Sequence, residues 1–181
     1  MARMEFILYY RGPLKTNRGP TEKHEIRSAF HGQLKEFFRF CHDDVALKNE
    51  EFSARENPGL SGFNFISIID GFDCIAELAI TMLRPEAPGK IITNGGDIDN
   101  RLKTLLDALK VPTKKEEIPP GIMPNEDQKP FFCLLADDKL VTAINVTTFQ
   151  LHDPTMVPPE VILLIQVKTK ASRPGLSSMF T

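Results

Sequence analysis

Apolar residues recur at two periods along this chain, and the periods set an expected order of elements. Glu5–Tyr10 is rich in β-formers and reads as a first strand. Gly12-Pro13 and Gly19-Pro20 mark the loop that follows. Thr21 then caps a helix, with Glu22 in its first turn and Ile26, Phe30, Leu34, Phe37 and Cys41 forming an apolar stripe. Glu50–Ser61 is polar, carries Pro58-Gly59 and reads as a loop. Phe63–Ile69 and Phe72–Leu83 flank Asp70-Gly71, the pair a tight hairpin turn requires, so they read as two paired strands. Arg84-Pro85 and Pro88-Gly89 end the second strand, and Lys90–Thr93 extends briefly.

A second helix is expected from about Asn100 to Lys110, burying Leu102, Leu105, Leu106 and Leu109. Val111–Pro130 contains Pro112, Pro119, Pro120, Pro124 and Pro130 among many charges, which neither a helix nor a central strand tolerates. It reads as an unusually long loop. Phe131–Leu135 and Lys139–Leu151 are hairpin-like strands either side of Asp137-Asp138, and Glu160–Lys168 is the last strand. The tail from Ala171 bears Ser, Gly and Pro and is expected to fray. The order predicts an α+β fold, a mixed β-sheet with two main helices packed on it.

The 181 residues suit one domain spanning 1–181. With 41% hydrophobic and 25% charged residues, the composition is that of a globular protein. Apolar runs such as Val161–Ile165 are strand-sized, so no membrane partner is expected. Glu5 falls where a signal peptide needs an apolar stretch, which predicts a cytoplasmic protein. Cys41, Cys74 and Cys133 form no paired spacing and read as small buried hydrophobes. His24, His31, His42 and His152 show no ligand spacing; His24 and His31 can share a helix face, with nothing beside them to complete a metal site. The net charge of −2 argues against a nucleic-acid binder, although the local field matters more than the total.

Gly95-Gly96 leads into Asp97-Ile98-Asp99-Asn100, just before the second helix. If 97–99 is extended, Asp97 and Asp99 project from one side, and Lys103 sits one turn further along it. Asp137-Asp138 arrives from a separate segment. Converging carboxylates repel and are costly to bury without a cation. A hard, oxygen-preferring ion such as Mg²⁺ resolves this, activates water and offsets the charge growing on a phosphodiester. A lysine nearby helps most in the transition state. The same residues have ordinary readings. Asp97 or Asp99 can be helix caps, Lys103 can pair with Asp99 or Asp107, and Asp137-Asp138 can be turn residues. Spacing alone favours these ordinary readings.

Two blocks tip the balance. Asp97-Ile98-Asp99-Asn100-Arg101-Leu102-Lys103, continued by Leu106-Asp107-Ala108-Leu109, resembles the Asp-x-Asp-Asn-x-x-Lys signature of the RusA family of Holliday junction resolvases. Leu135-Ala136-Asp137-Asp138-Lys139-Leu140-Val141 resembles that family's second block, an Asp-Asp pair before a strand. The resemblance implies a RusA-like fold and a Mg²⁺ site, with Mn²⁺ as a substitute ion. Its ligands would be Asp97, Asp99 and Asp138, with Asp137 as the lesser member of the pair. Lys103 would be the essential lysine and Asn100 would support the local turn. It further implies a homodimer that nicks branched DNA, a four-way junction, symmetrically.

The 111–130 segment separates the two blocks. It reads as a disordered insertion, the alternatives being a dimer contact or a DNA-clamping arm that binds substrate through Lys114 and Lys115. Lys114, Lys115, Lys168, Lys170 and Arg173 are the candidates for a basic surface. The competing function is a non-catalytic nucleic-acid or partner-binding module on the same fold. A small-molecule phosphohydrolase ranks last, because the chain has neither a P-loop nor a dinucleotide fingerprint.

Overall fold

The computed structural model describes residues 4–16, 18–41, 60–70, 74–87 and 98–171. Asp97 and its Gly95-Gly96 approach, the 90–93 extension, most of the 50–61 loop and the tail with Arg173 lie outside the described residues. Six strands and two α-helices are described: β1 (Glu5–Pro13), α1 (Pro20–Cys41), β2 (Phe65–Ile69), β3 (Cys74–Arg84), α2 (Ile98–Leu109), β4 (Phe131–Leu135), β5 (Val141–Gln150) and β6 (Glu160–Ala171). A four-stranded mixed sheet runs β1-β6-β3-β5, and a separate two-stranded sheet joins β2 to β4. The fold is α+β with two helices and a mixed sheet, as the pattern predicts.

β6 is central and antiparallel to both β1 and β3, while β5 runs parallel to β3 at the edge. On β3 every second residue from Cys74 to Arg84 is buried, the period-two signature of a sheet covered on one face. The matching residues of β6, Val161, Leu163, Ile165 and Val167, are fully enclosed. β1 continues to Pro13, beyond the expected end at Tyr10, because Arg11, Gly12 and Pro13 still pair with Ile162, Val161 and Glu160. Proline is tolerated there on an edge strand. The outer side of β1 is closed by one side chain of α1: the Gln33 amide donates to the Tyr9 carbonyl at 2.7 Å and accepts the Tyr9 N–H at 2.9 Å. That is the hydrogen bonding an adjacent strand would supply.

Neither expected hairpin forms. β2 pairs in parallel with β4, and β3 pairs with β5 and β6. Likewise β4 and β5, which flank Asp137-Asp138, belong to different sheets. The cause is visible in the residues: Phe65-Ile-Ser-Ile-Ile and Phe131-Phe-Cys-Leu-Leu carry apolar groups on both faces. Such strands are at home between two cores rather than in a half-exposed hairpin. Phe132, Leu134 and Leu135 of β4 join the main core with α1, α2 and the large sheet. Phe131 and Cys133 face the other way, into a second cluster with Phe63, Phe65, Val111 and Ile118.

That second cluster overturns the expectation of a disordered insertion at 111–130. Val111 and Ile118 are buried, and short 3₁₀ turns form at Lys115–Glu117 and Glu126–Gln128. The second turn is closed by a reciprocal cap between Asn125 and Gln128. Prolines rule out a helix or central strand here, but not an irregular segment that covers a sheet.

α1 starts at Pro20, ahead of the expected Thr21 cap, which places proline at the helix position it suits best. Its inner face is also rotated. Ile26, Phe30 and Leu34 are buried as expected, joined by Phe38 and by the polar His24, Arg27 and His31, whereas Cys41 is exposed. Phe37 is half-buried and stacks on Phe6 with ring centroids 3.9 Å apart. Of the three cysteines, only Cys74 and Cys133 are buried, as all three were expected to be. No helix among the described residues is long and apolar enough to cross a membrane.

Candidate functional site

α2 and the 3₁₀ turn Asp138–Leu140 carry the two sequence blocks, and they touch. Beneath the contact, Leu102 and Leu106 of α2, Leu140 at the end of the turn and Val141 after it all pack on the main core. The backbone continues the join. Lys110 pairs in parallel with Leu135, and the Val111 N–H donates to the Leu135 carbonyl at 2.9 Å. The buried face of α2 is centred on Arg101, Thr104, Leu105, Ala108 and Leu109, so the expected Leu102 and Leu106 lie at its half-buried border. That rotation leaves Asp99 and Lys103 exposed.

Asp99 lies in the first turn of α2, where its carboxylate offsets the positive end of the helix dipole. Its Oδ1 accepts the Asn100 N–H at 2.9 Å. Lys103 follows one turn later and forms no ion pair among the described residues. The pairings open to it in sequence, with Asp99 or Asp107, are not made. Asp107 is instead taken by Lys23 of α1, at 2.6 Å, and by Lys110, at 3.5 Å. Burial raises the Asp107 carboxyl pKa, but the two ammonium groups more than reverse this and leave it below the ordinary value.

Asp137 is a turn residue in the ordinary sense. Its Oδ1 accepts the Lys139 N–H at 2.9 Å, capping the 3₁₀ turn, and its Oδ2 lies 3.1 Å from the Lys139 ammonium. That backbone hydrogen bond is the main reason its carboxyl sits below the ordinary range. Asp138, whose carboxyl also interacts with that of Asp137, places its Oδ2 3.3 Å from the Lys110 ammonium. Lys110 thus serves Asp138 and Asp107 together. Asp107 is eight residues beyond Asp99, about 12 Å along the helix axis. The two blocks meet as elements, while Asp99 and Asp138 each have a different partner.

Three residues that hold this arrangement are absent from the sequence expectation. Arg27 is fully buried on α1 and donates to the carbonyls of Asp107, at 3.0 Å, and Lys110, at 3.4 Å. It caps the C-terminal end of α2, where unpaired carbonyls and the helix dipole favour a cation. Lys23 fixes the Asp107 side chain one turn earlier on α1. Lys110 joins the helix end to Asp138. The one sequence signal was a buried-face pattern on α1 interrupted by an arginine and followed, on α2, by an acid in the last turn.

The donor set suits a hard cation in kind: Asp99 and Asp138 are carboxylates, exposed to solvent, on elements in contact. Among the described residues, no group of three or more His, Cys, Asp or Glu side chains is placed to hold a metal ion. Asp97, the remaining expected ligand, is not among the residues described. Lys114 and Lys115 are exposed on the 111–130 segment and have no ion-pair partner among the described residues. Lys168 and Lys170, the other basic candidates, are neutralised by Glu5 and Glu77 across the sheet. A cavity of about 150 Å³ lies between the β1–α1 loop and α2, lined in part by Lys15, Arg18, Glu22, Glu25 and Thr104. Its two cations face two carboxylates, so charge selects no anion there.

Comparison with protein-family models, with curated proteins and with solved structures returns no match to this chain.

Proposed function

We propose that this protein is a Mg²⁺-dependent, structure-selective endonuclease that resolves four-way DNA junctions by symmetric phosphodiester hydrolysis as a homodimer. The observation that carries the reading is the packing of α2 against the Asp138–Leu140 turn. Two acidic blocks separated by a long segment come into contact, and Leu102, Leu106 and Leu140 each pack on the same main core. Had the blocks lain on opposite sides of the core, the sequence resemblance would have had no physical counterpart.

The residues divide the work by their chemistry. Asp99 and Asp138, with Asp97, would hold the ion, and Asp137 keeps the turn that presents Asp138. When bound, Mg²⁺ or Mn²⁺ would supply a lowered water pKa and charge stabilisation at the phosphorus. Lys103, exposed and without an ion pair among the described residues, would meet a phosphate oxygen as charge develops. The positive end of α2 adds to the field at that point. Arg27 and Lys23 keep the far end of α2 against α1, so the carboxylates approach substrate on a fixed frame. Lys114 and Lys115, exposed and without ion pairs among the described residues, would provide charge for DNA backbone contacts away from the reacting phosphate.

The test is a labelled four-way junction incubated with the full chain, in Mg²⁺ and in EDTA. Paired nicks at symmetric positions, seen only with the metal, are expected. One specific observation favours the non-catalytic binding module: Asp138, Asp137 and Asp107 all have ammonium partners without any metal. Junction binding indifferent to EDTA, with no nicking at any metal concentration, would establish that second reading instead.

A further inference from the structure

The inward residues of the four-stranded sheet share a core with α1, α2 and β4. Its outward residues stand in rows across the strands, and the register fixes the rows. Tyr9, Leu164, Thr81 and Thr147 form one row, and Arg11, Ile162, Leu83 and Phe149 the next. Ile7 stands in the row on the other side of Tyr9, opposite Gln166. Of the eight large hydrophobic residues exposed among the described residues, four lie on this one face: Ile7, Tyr9, Leu164 and Phe149, at 39% to 63% exposure. Scattered exposed hydrophobics are ordinary, but a shared patch marks a contact surface. We propose that a second copy of this chain stacks on this face, sheet against sheet, about a two-fold axis. This deepens the homodimer of the proposed function by naming the surface that joins the copies, and rests on that reading for the count of two. The interface itself needs neither metal nor nuclease activity.

Charge selects the partner. The strands send three bases outward, Arg11, Lys168 and Lys170, and three acids, Glu5, Glu77 and Glu160. They stand at the two ends of the apolar rows and are paired within the subunit. Lys168 meets Glu5 and Lys170 meets Glu77 at one end, and Arg11 meets Glu160 and Asp153 at the other. A face with no net charge has nothing to draw a DNA backbone or an anionic lipid surface. It also has nothing to repel an identical face.

Size and shape agree. The strands are 9 to 12 residues long. At about 3.3 Å per residue and about 4.8 Å between strands, the face measures roughly 34 Å by 19 Å. Two such faces in contact cover roughly 1,300 Å², inside the range of about 1,200–2,000 Å² for specific interfaces. Tyr9 and Phe149 stand on the two edge strands, with the smaller Ala79 and Thr81 of β3 between them. Each copy therefore offers both projections and hollows, as a self-complementary contact requires. Stacked sheets with strand directions within about 30° of each other are the ordinary way to bury such surfaces.

Sedimentation velocity of the full chain over a concentration series, in EDTA, tests this. The wild type is expected to dimerise. Leu164→Lys puts a charge at the middle of the patch and is expected to raise the dissociation constant at least about 30-fold. Met123→Ser alters a residue exposed on the 111–130 segment and is expected to leave it unchanged. Should Leu164→Lys fail to fold, hydroxyl-radical footprinting of the wild type carries the test. Tyr9 and Phe149 are expected to be labelled in the dilute monomer and protected where the dimer forms. A wild type that stays monomeric at every concentration overturns the interface and the homodimer together. Protection of Tyr9 in that monomer would assign the face to a segment of the same chain. A dimer that Leu164→Lys leaves intact, or in which Tyr9 and Phe149 stay labelled, overturns the interface and leaves the homodimer standing. A dimer that behaves as expected but cuts no junction keeps the interface and removes the nuclease reading.

Discussion

The Nδ1 of His31 accepts the backbone N–H of Phe132 at 2.9 Å. An acceptor Nδ1 fixes the neutral tautomer, so Nε2 carries the hydrogen and donates to the Asp127 carbonyl at 3.1 Å. One imidazole thereby ties α1 to β4 and to the segment that covers it. Burial lowers the His31 pKa, with Asp127 opposing and Lys35 assisting. His24, two turns earlier, is pushed down to about 4 by burial and by the Arg27 charge, and its ring packs against Phe63 and Phe131.

Both shifts have the same sign, which sets a pH window. A histidine depressed in the folded state binds its proton more readily when unfolded. Its neutral burial therefore costs no stability above pH ~6.5, and stability is lost as pH falls from there toward 4. For His24 the loss is on the order of 3 kcal/mol. Urea unfolding at pH 7.5 and pH 4.5 is expected to show a decline of that order, and His24→Gln is expected to flatten the profile. Stability constant across the interval would show that neither histidine is held neutral by the fold.

The 111–130 segment is part of the structure, so cutting into its buried contacts should cost as much as cutting into a core. Ile118 sits 3% exposed against Phe63, Phe65 and Phe131. Ile118→Ala is expected to destabilise the protein by about 2–4 kcal/mol, read from the urea midpoint. A disordered insertion would give no change. Limited proteolysis provides an independent check, with cleavage after Lys114 or Lys115 slow in the wild type and faster in the variant.

Much of this architecture was legible in the sequence because apolar period is a local property. β1, α1, α2, β4 and β6 each announce themselves within a dozen residues. Pairing is not local, and there the reading failed. Asp70-Gly71 carries the residues of a tight turn, yet β2 and β3 separate into two sheets because Phe65, Ile66, Ile68 and Ile69 leave β2 no polar face to turn to solvent. The polar side chains on the inner face of α1 were missed for a related reason. His24, Arg27 and His31 sit at buried positions of α1, where a hydrophobic count registers only gaps. The hydrogen-bond partners of Arg27 and His31 come from 80 to 101 residues away. Asp99, Lys103 and Asp138 were found because they stand in compact blocks. Lys110, which engages Asp138, stands just past the end of its block and carries no mark in the sequence.

The Lys23–Asp107 pair joins the two helices behind the candidate site, and its energetic contribution can be isolated. Both side chains are about three-quarters buried or more, so the pair is less screened than a surface bridge. Asp107→Asn is expected to cost about 1–2 kcal/mol at pH 7, and a double-mutant cycle with Lys23→Met to show coupling of about 1 kcal/mol. The Asp107 carboxyl is depressed in the folded protein, so its contribution is full above the ordinary carboxyl value of 3.8 and is lost as pH falls below it. Simple additivity of the two substitutions would show that the helices are joined by apolar packing and Arg27 alone.

Lys103 separates catalysis from stability more cleanly than any other residue of the site. Its side chain is exposed and makes no ion pair among the described residues. Lys103→Met is expected to change the unfolding free energy by less than about 0.5 kcal/mol, the usual range for an exposed substitution. Its effect on junction cleavage should be of another order, a fall of about 10²–10³-fold, because a cation aimed at a developing phosphate charge acts mainly in the transition state. Asp99→Asn and Asp138→Asn are expected to abolish cleavage, yet to bind the junction in EDTA as well as or better than the wild type, since each removes a negative charge facing DNA. The three variants thus give opposite signatures on binding: weaker for the lost lysine, stronger for the lost carboxylates. Cleavage by Lys103→Met at the wild-type rate would leave that lysine a solvated surface group and move the search for the transition-state cation to Lys110 or Lys139.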